Sequence, residues 1–163
     1  MKILSKVLPL MVIMTCASPA QDAEQALVHQ GGLELKLMSF NIRNGTANDE
    51  DNHWNLRKDL VYQVIRDDAP DILGLQEAVY AQQEELLKEL PQYAYVGTGS
   101  GGGTKGQYSS ILYLRQQFKL AASGTFWLSE TPFIPSRHWG SAHLRICTWA
   151  RLLHRDTGQA FLV

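Results

Sequence analysis

At 163 residues, 45% hydrophobic and 19% charged, the chain has ordinary globular composition for a single domain, which excludes disorder throughout. Fifteen basic residues stand against sixteen acids, so there is no basic field of the kind that dominates nucleic-acid affinity. A long polyanionic partner is disfavoured unless a divalent metal supplies the missing positive charge.

The first twenty residues have the layout of a secretory signal peptide. Lys2 and Lys6 flank the start of an apolar run from Val7 to Met14, and Ser18-Pro19-Ala20 offers a small-residue cleavage site. The run falls short of the roughly 20 apolar residues needed to span a bilayer. Export to the periplasm or the medium is therefore expected, with a lipoprotein anchored at Cys16 as the alternative, although Ile13-Met14-Thr15 is a poor match for lipoprotein processing. Loss of Lys2 and Lys6 leaves thirteen bases against sixteen acids, and Cys147 is then the sole cysteine, unable to form an internal disulfide. Residues 21–32, polar and glycine-ended, read as a flexible leader before a domain over 33–163.

Leu33, Leu35, Leu37 and Phe40 alternate with Glu34, Lys36 and Met38, which predicts a strand, followed by a polar loop from Arg43 to Asn52. A helix is expected over Trp54 to Asp68, with Leu56, Leu60, Val61, Val64 and Ile65 inward and Asn52 or Asn55 as cap. Pro70 stops it, and the apolar stretch PDILGLQEAV, Pro70 to Val79, is the next strand. A second helix, Tyr80 to Leu90, turns Leu86, Leu87 and Leu90 inward. Strands then follow at Tyr93–Gly97, Ser109–Arg115, Gly124–Leu128 and Ile146–His154, and a last one opens at Phe161. Alternating β and α elements followed by β texture is the pattern of a layered α/β domain, and the stop inside an apolar strand reads as truncation.

Two residues at strand ends carry the chemical interest. Asn41 ends the first strand and Glu77 the second, and neighbouring strands would bring them together. A carboxylate beside an amide suits Mg²⁺, which takes one or two carboxylates and keeps several waters, and such a metal would polarise a phosphoryl oxygen. On spacing alone, a turn Asn and a helix-start Glu are the favoured explanation of the two residues. GTGSGGGTKG, Gly97 to Gly106, fails the P-loop pattern because Lys105 precedes Gly106 and a strand follows, so a mobile loop is expected. His53 and His154 read as solvated or capping residues. His138 and His143, in the polar and aromatic PSRHWGSAHLR, are candidates for a cleft wall. Arg145 is suited to bidentate phosphate contact or to an ion pair. Neither a G-x-S-x-G elbow nor a reactive thiol is visible, since Cys147 in its strand reads as buried and inert. Trp127 and Trp149 read as core, which leaves Trp139 without companions for an exposed aromatic platform.

MSFNIRNG (Met38 to Gly45), W-x-x-R-K (Trp54 to Lys58), PDILGLQEA (Pro70 to Ala78), SGTFWLSETP (Ser123 to Pro132) and RICTWARL (Arg145 to Leu152) together resemble the endonuclease/exonuclease/phosphatase superfamily, and its secreted bacterial branch in particular. The resemblance spans about Leu35 to Val163 and implies a deoxyribonuclease I-like two-sheet β-sandwich flanked by helices, its C-terminal part missing. It implies hydrolysis of phosphodiesters or phosphomonoesters with Mg²⁺ or Mn²⁺, through an in-line water activated by a His-Asp pair. Glu77 matches the family's metal-binding Glu and Asn41 its strand-end Asn, while Arg145 and His143 are assigned to substrate contact. The N-T-H-x-D, G-D-x-N and S-D-H motifs that complete such a site are absent from this sequence. Gln107 and Ser141 stand where related sequences often carry acids. An N-terminal portion of a phosphoesterase, inactive alone, is the expectation, with a non-catalytic binding protein on the same scaffold as the alternative. The substrate is left open, because the fold serves nucleic acids, sphingolipids and inositol phosphates alike.

Overall fold

The backbone alternation after Leu33 produces a strand, β1 (Leu37–Asn41), but with its inward phase reversed along its length. Leu35 packs toward one core cluster and Met38 and Phe40 toward another, while Leu37 is 64% exposed. The computed structural model describes residues 33–163, so the signal-peptide, leader and Cys16 readings lie outside the described residues. Strand β1 is an edge of a four-stranded sheet with β2 (Ile72–Gln76), β4 (Ser109–Leu114) and β3 (Tyr93–Val96), in the order β1-β2-β4-β3. A second sheet, order β5-β6-β7, is formed by β5 (Phe118–Trp127), β6 (Ile146–His154) and β7 (Ala160–Leu162), all antiparallel. The sheets meet where β4 packs on β6, which leaves Leu37 on the outer strand unopposed among the described residues.

Two cores follow from this layering. One lies between the first sheet and the helices α1 (Trp54–Asp68) and α2 (Tyr80–Glu89), and includes Ile65, Leu73, Leu75, Leu86 and Leu112. The other fills the space between the sheets, with Ile72, Ile111, Phe118, Ala150 and Leu152. Strand β2 serves both, which is why its sequence reads as continuously apolar rather than alternating. The two-sheet sandwich with external helices is the architecture that the family resemblance implies.

Helix α1 buries Trp54, Val61, Tyr62 and Ile65, whereas Leu56 and Leu60, placed inward by the sequence reading, are 72% and 63% exposed. The stripe is rotated because Trp54 anchors the first turn, its indole N–H donating to Glu85 Oε2 on α2 at 3.0 Å. Neither Asn52 nor Asn55 caps this helix. His53 does, its Nδ1 accepting from the Asn55 N–H at 3.4 Å. His154 plays a similar part in the turn after β6, where Nδ1 accepts from the Thr157 N–H. Ala69, at φ 43°, closes α1 in the left-handed region ahead of Pro70.

Three other expectations change. Strand β5 begins at Phe118 rather than Gly124, because Phe118 to Leu120 continue the pairing with β6 across a bulge before Ala122. Cys147 is exposed, since Ala150, Leu152 and His154 set the inward phase of β6 and period two sends residue 147 outward. The glycine-rich segment is a folded loop, with Gly99 N–H to Gly103 O at 2.8 Å, Gly101 N–H to Lys105 O at 2.9 Å, and Trp127 Nε1 donating to Ser100 O at 2.7 Å.

Candidate active site

Parallel pairing of β1 with β2 sets Asn41 opposite Gln76, so the next residue, Glu77, leaves the sheet beside Asn41. Glu77 does so at φ 64°, a left-handed conformation that costs a side-chain-bearing residue about 1–2 kcal/mol. That conformation turns its carboxylate back across the strand ends, where Oε1 accepts from Asn41 Nδ2 at 2.8 Å. The strand-end juxtaposition expected from the sequence is therefore realised as a direct hydrogen bond.

Asn41 Oδ1 in turn accepts from the Arg43 N–H at 2.9 Å. Arg43 is itself left-handed, at φ 60°, and its guanidinium grips Asp49 through Nε at 2.9 Å and Nη2 at 2.8 Å, with Nη1 4.0 Å from Glu77 Oε2. The hydrogen bond from Arg43 holds the Asp49 carboxyl below its ordinary range. Arg57, stacked 5.2 Å over the Trp54 ring, reaches the carbonyls of Ile42 at 2.6 Å, Arg43 at 3.1 Å and Asn52 at 2.8 Å. Thus Trp54 and Arg57 of the W-x-x-R-K motif shape the loop that carries Arg43 rather than meeting a ligand.

A cleft of about 250 Å³ opens beside the pair, lined by Asn41, Gln76, Glu77, Ser100, Gln107, Tyr108, Ser109, Leu128, Leu144, Arg145 and Ile146. Among the described residues, Glu77 is the carboxylate and Arg145 the guanidinium on its wall. Among the described residues no carboxylate pairs with Arg145. His138 and His143, candidates for a cleft wall, are not among the residues that line this cleft. The segment between β5 and β6 folds on itself instead: Ser129 meets Ser136 at 2.6 Å, Arg137 donates to Ala142 O at 2.9 Å, and the Leu128 N–H closes its base on Arg145 O at 2.8 Å. His138 Nε2 lies 3.3 Å from Glu130 Oε2, and His143 is exposed, its carbonyl accepting from Ser141 Oγ. Only the end of the segment, at Leu144 and Arg145, meets the cleft. Ser100 comes from the glycine-rich loop and Gln107, which stands where related sequences often carry an acid, directly follows it; their proximity to Glu77 arises from tertiary folding that local spacing does not encode.

Among the described residues no three His, Cys, Asp or Glu side chains cluster as a closed metal cage. The donors at the cleft are hard oxygens: the Glu77 carboxylate and the amides of Asn41, Gln76 and Gln107, with neither thiolate nor imidazole among them. One carboxylate in an open polar cleft fits Mg²⁺ or Mn²⁺, which retain waters, and does not fit a closed structural zinc site.

Oxygen donors gathered at adjoining strand C-termini of a two-sheet α/β domain mark this end of the sheet as the candidate site. The chain belongs to the endonuclease/exonuclease/phosphatase family, whose model matches residues 38–157. An endonuclease/exonuclease/phosphatase from Bacteroides vulgatus is 36% identical, with TM-score 0.76, over 78% of this chain and 50% of its own. A mannosyl-6-phosphatase from Bacteroides thetaiotaomicron is also 36% identical, with TM-score 0.76, over 79% of this chain and 49% of its own. An uncharacterized protein of Acanthamoeba polyphaga mimivirus is 29% identical over 114 residues, 66% of this chain and 42% of the relative. The chain thus spans half or less of the length of each of these relatives. Members of the family are phosphoesterases and nucleases. Among the described residues no helix is long and apolar enough to cross a membrane.

Proposed function

We propose that this chain carries the metal- and phosphate-holding part of an exported, divalent-metal-dependent phosphoesterase. The observation that carries the reading is the 2.8 Å bond from Asn41 to Glu77, with Glu77 forced into a left-handed conformation that aims its carboxylate at the cleft. Conformations of this kind concentrate at functional sites, where the surroundings hold them in place.

In this reading Glu77, supported by Asn41, holds Mg²⁺ or Mn²⁺. A metal held there would polarise a phosphoryl oxygen as a Lewis acid. Asn41 fixes the rotamer of Glu77 through its amide and, with a shift of its Nδ2 group, can donate to a phosphate oxygen. Arg145 binds phosphate oxygens through its planar fork, and Leu128, Leu144 and Ile146 add apolar side chains to the cleft wall. His143, exposed and two residues before Arg145, belongs to the proposal as an outer substrate contact. Activation of the in-line water requires a base, and the described cleft wall offers no His-Asp pair. The residues 33–163 alone therefore bind but do not turn over. A sugar phosphomonoester is the first class to try, given the 36% identical mannosyl-6-phosphatase. Delivery by a cleaved signal peptide is the reading for export, with a Cys16 lipid anchor as its alternative.

Calorimetric titration of Mn²⁺ into the wild-type chain and Glu77→Ala tests this directly. Saturable binding that the substitution weakens at least tenfold supports the reading. Equal binding by the two proteins overturns it.

A further inference from the structure

We propose that Gln82 is the positioning residue of the Asn41–Glu77 pair, locking the two strand-end turns into one arrangement through a single buried amide. The proposal rests on the reading of that pair as the metal-holding site. Gln82 lies in the first turn of α2 and is 1% exposed. Its Oε1 accepts from the Gly45 N–H at 2.8 Å and the Val79 N–H at 3.0 Å, and its Nε2 donates to the Arg43 carbonyl at 3.0 Å.

Those three partners divide between the two turns that build the site. Arg43 and Gly45 belong to the turn after β1, whose Arg43 N–H holds Asn41 Oδ1. Val79 belongs to the turn after β2, two residues past Glu77. A helix-capping role accounts for the Val79 bond alone. The other two reach across 37 and 39 residues to a different loop, and capping does not explain them. Glu77 and Arg43, the residues held left-handed at φ 64° and 60°, stand on the two sides of this bridge. A strained backbone persists only where its surroundings over-determine it, and Gln82 supplies that constraint to both turns at once.

Two further observations mark the contact as built. Gly45 sits so close that a Cβ there would lie 2.7 Å from Gln82 Cδ, so any larger residue would force the Gln82 side chain to shift. Gln83, next along α2, bonds Ser110 Oγ on β4, which ties the start of the helix to the sheet. The amide of Gln82 is thereby referenced to the same sheet that carries Asn41 and Glu77. Without it, the Gly45 and Val79 N–H groups lose their acceptor inside the fold, and both turns are free to relax.

The test uses the side-chain amide resonances of Asn41 by ¹⁵N NMR, together with Mn²⁺ titration, in wild type, Q82M, Q82E, E77A and V61A. E77A removes the acceptor of Asn41 and so supplies the resonance position of the released amide. V61A destabilises the same core away from the turns. In Q82M the Asn41 resonances are expected at the E77A position, with Mn²⁺ affinity at least tenfold weaker, while V61A leaves both unchanged. Q82E retains acceptors for Gly45 and Val79 and loses the donor to Arg43, so its Asn41 signal is expected to be displaced at neutral pH and to return as pH falls and the new carboxyl regains a proton. This variant decides the matter if Q82M does not fold. Wild-type Asn41 resonances in Q82M, or in Q82E at every pH, overturn the proposal, as does an equal displacement in V61A. Absence of Mn²⁺ uptake by wild type, with Asn41 still released in Q82M, overturns the metal reading and supports the positioning role.

Discussion

Replacing Glu77 by glycine and by alanine separates what the residue does for the site from what it does to the fold. At φ 64° any residue with a Cβ is strained by about 1–2 kcal/mol, and glycine is not. Glycine also makes the unfolded chain more flexible, which opposes this by roughly 0.5–1 kcal/mol. Both variants lose the Asn41 bond, which contributes on the order of 1 kcal/mol or less at a carboxylate one-third exposed. E77A therefore combines lost bond and retained strain, and should fall about 1 kcal/mol below wild type. E77G should recover about 0.5–1 kcal/mol of that, which for a domain of this size is a Tm about 1–4 °C above E77A. Circular-dichroism melts of the three proteins, with parallel Mn²⁺ titrations, read both effects. The reasoning requires E77G to match or exceed E77A in Tm while both lose metal affinity. An alanine variant more stable than the glycine variant would show that Glu77 is not strained as described, and the link between strain and site would fail.

Other consequences follow from named contacts. Arg145→Ala should weaken binding of inorganic phosphate, in the presence of Mn²⁺, by at least tenfold, whereas His143→Ala, outside the cleft wall, should change it less than twofold; calorimetry distinguishes them. Gly45→Ala places a methyl group 2.7 Å from Gln82 Cδ and should destabilise by about 1–3 kcal/mol in a urea titration; no loss of stability would contradict the close approach. Tyr93, buried and donating to the Pro70 carbonyl at 2.6 Å, has its hydroxyl pushed up to about 12, chiefly by desolvation and then by Asp71. Because the folded state holds this proton above the unfolded value near 10, the associated stability is complete below pH about 10 and is lost as pH rises toward 12. Two pKa units correspond to about 2–3 kcal/mol, so Tyr93→Phe should flatten the alkaline decline seen by denaturant melts, and an unchanged decline would refute the assignment.

The strand ends were legible because they depend on local signals. Pro70 and the apolar run after it define β2, and parallel pairing with β1 then delivers Asn41 to Glu77 without further information. Helix α1 was legible in extent but not in orientation: Leu56 and Leu60 satisfy the helical period, yet the contact of Trp54 with Glu85 turns them to solvent. Such a choice between two apolar stripes is made by the partner helix, 31 residues away. Gln82 and Gln83 are polar residues in a helix, a pattern that ordinarily signals exposure, and only their distant partners explain why they are buried. The glycine-rich loop shows the converse. Its composition suggests mobility, but its ordering comes from backbone bonds that any sequence able to adopt those turns could make, and from Trp127 at the end of β5. Ser100 and Gln107 therefore reach the cleft by a route that composition conceals.

The measurement that bears most directly on the central claim is anomalous diffraction from crystals of the protein equilibrated with Mn²⁺, collected for wild type and Glu77→Ala. The account predicts an anomalous peak within coordinating distance of a Glu77 carboxylate oxygen, beside Asn41, that vanishes in the alanine variant. A peak elsewhere in the cleft that persists without the Glu77 carboxylate would contradict it, as would the absence of any peak when Mn²⁺ is saturating.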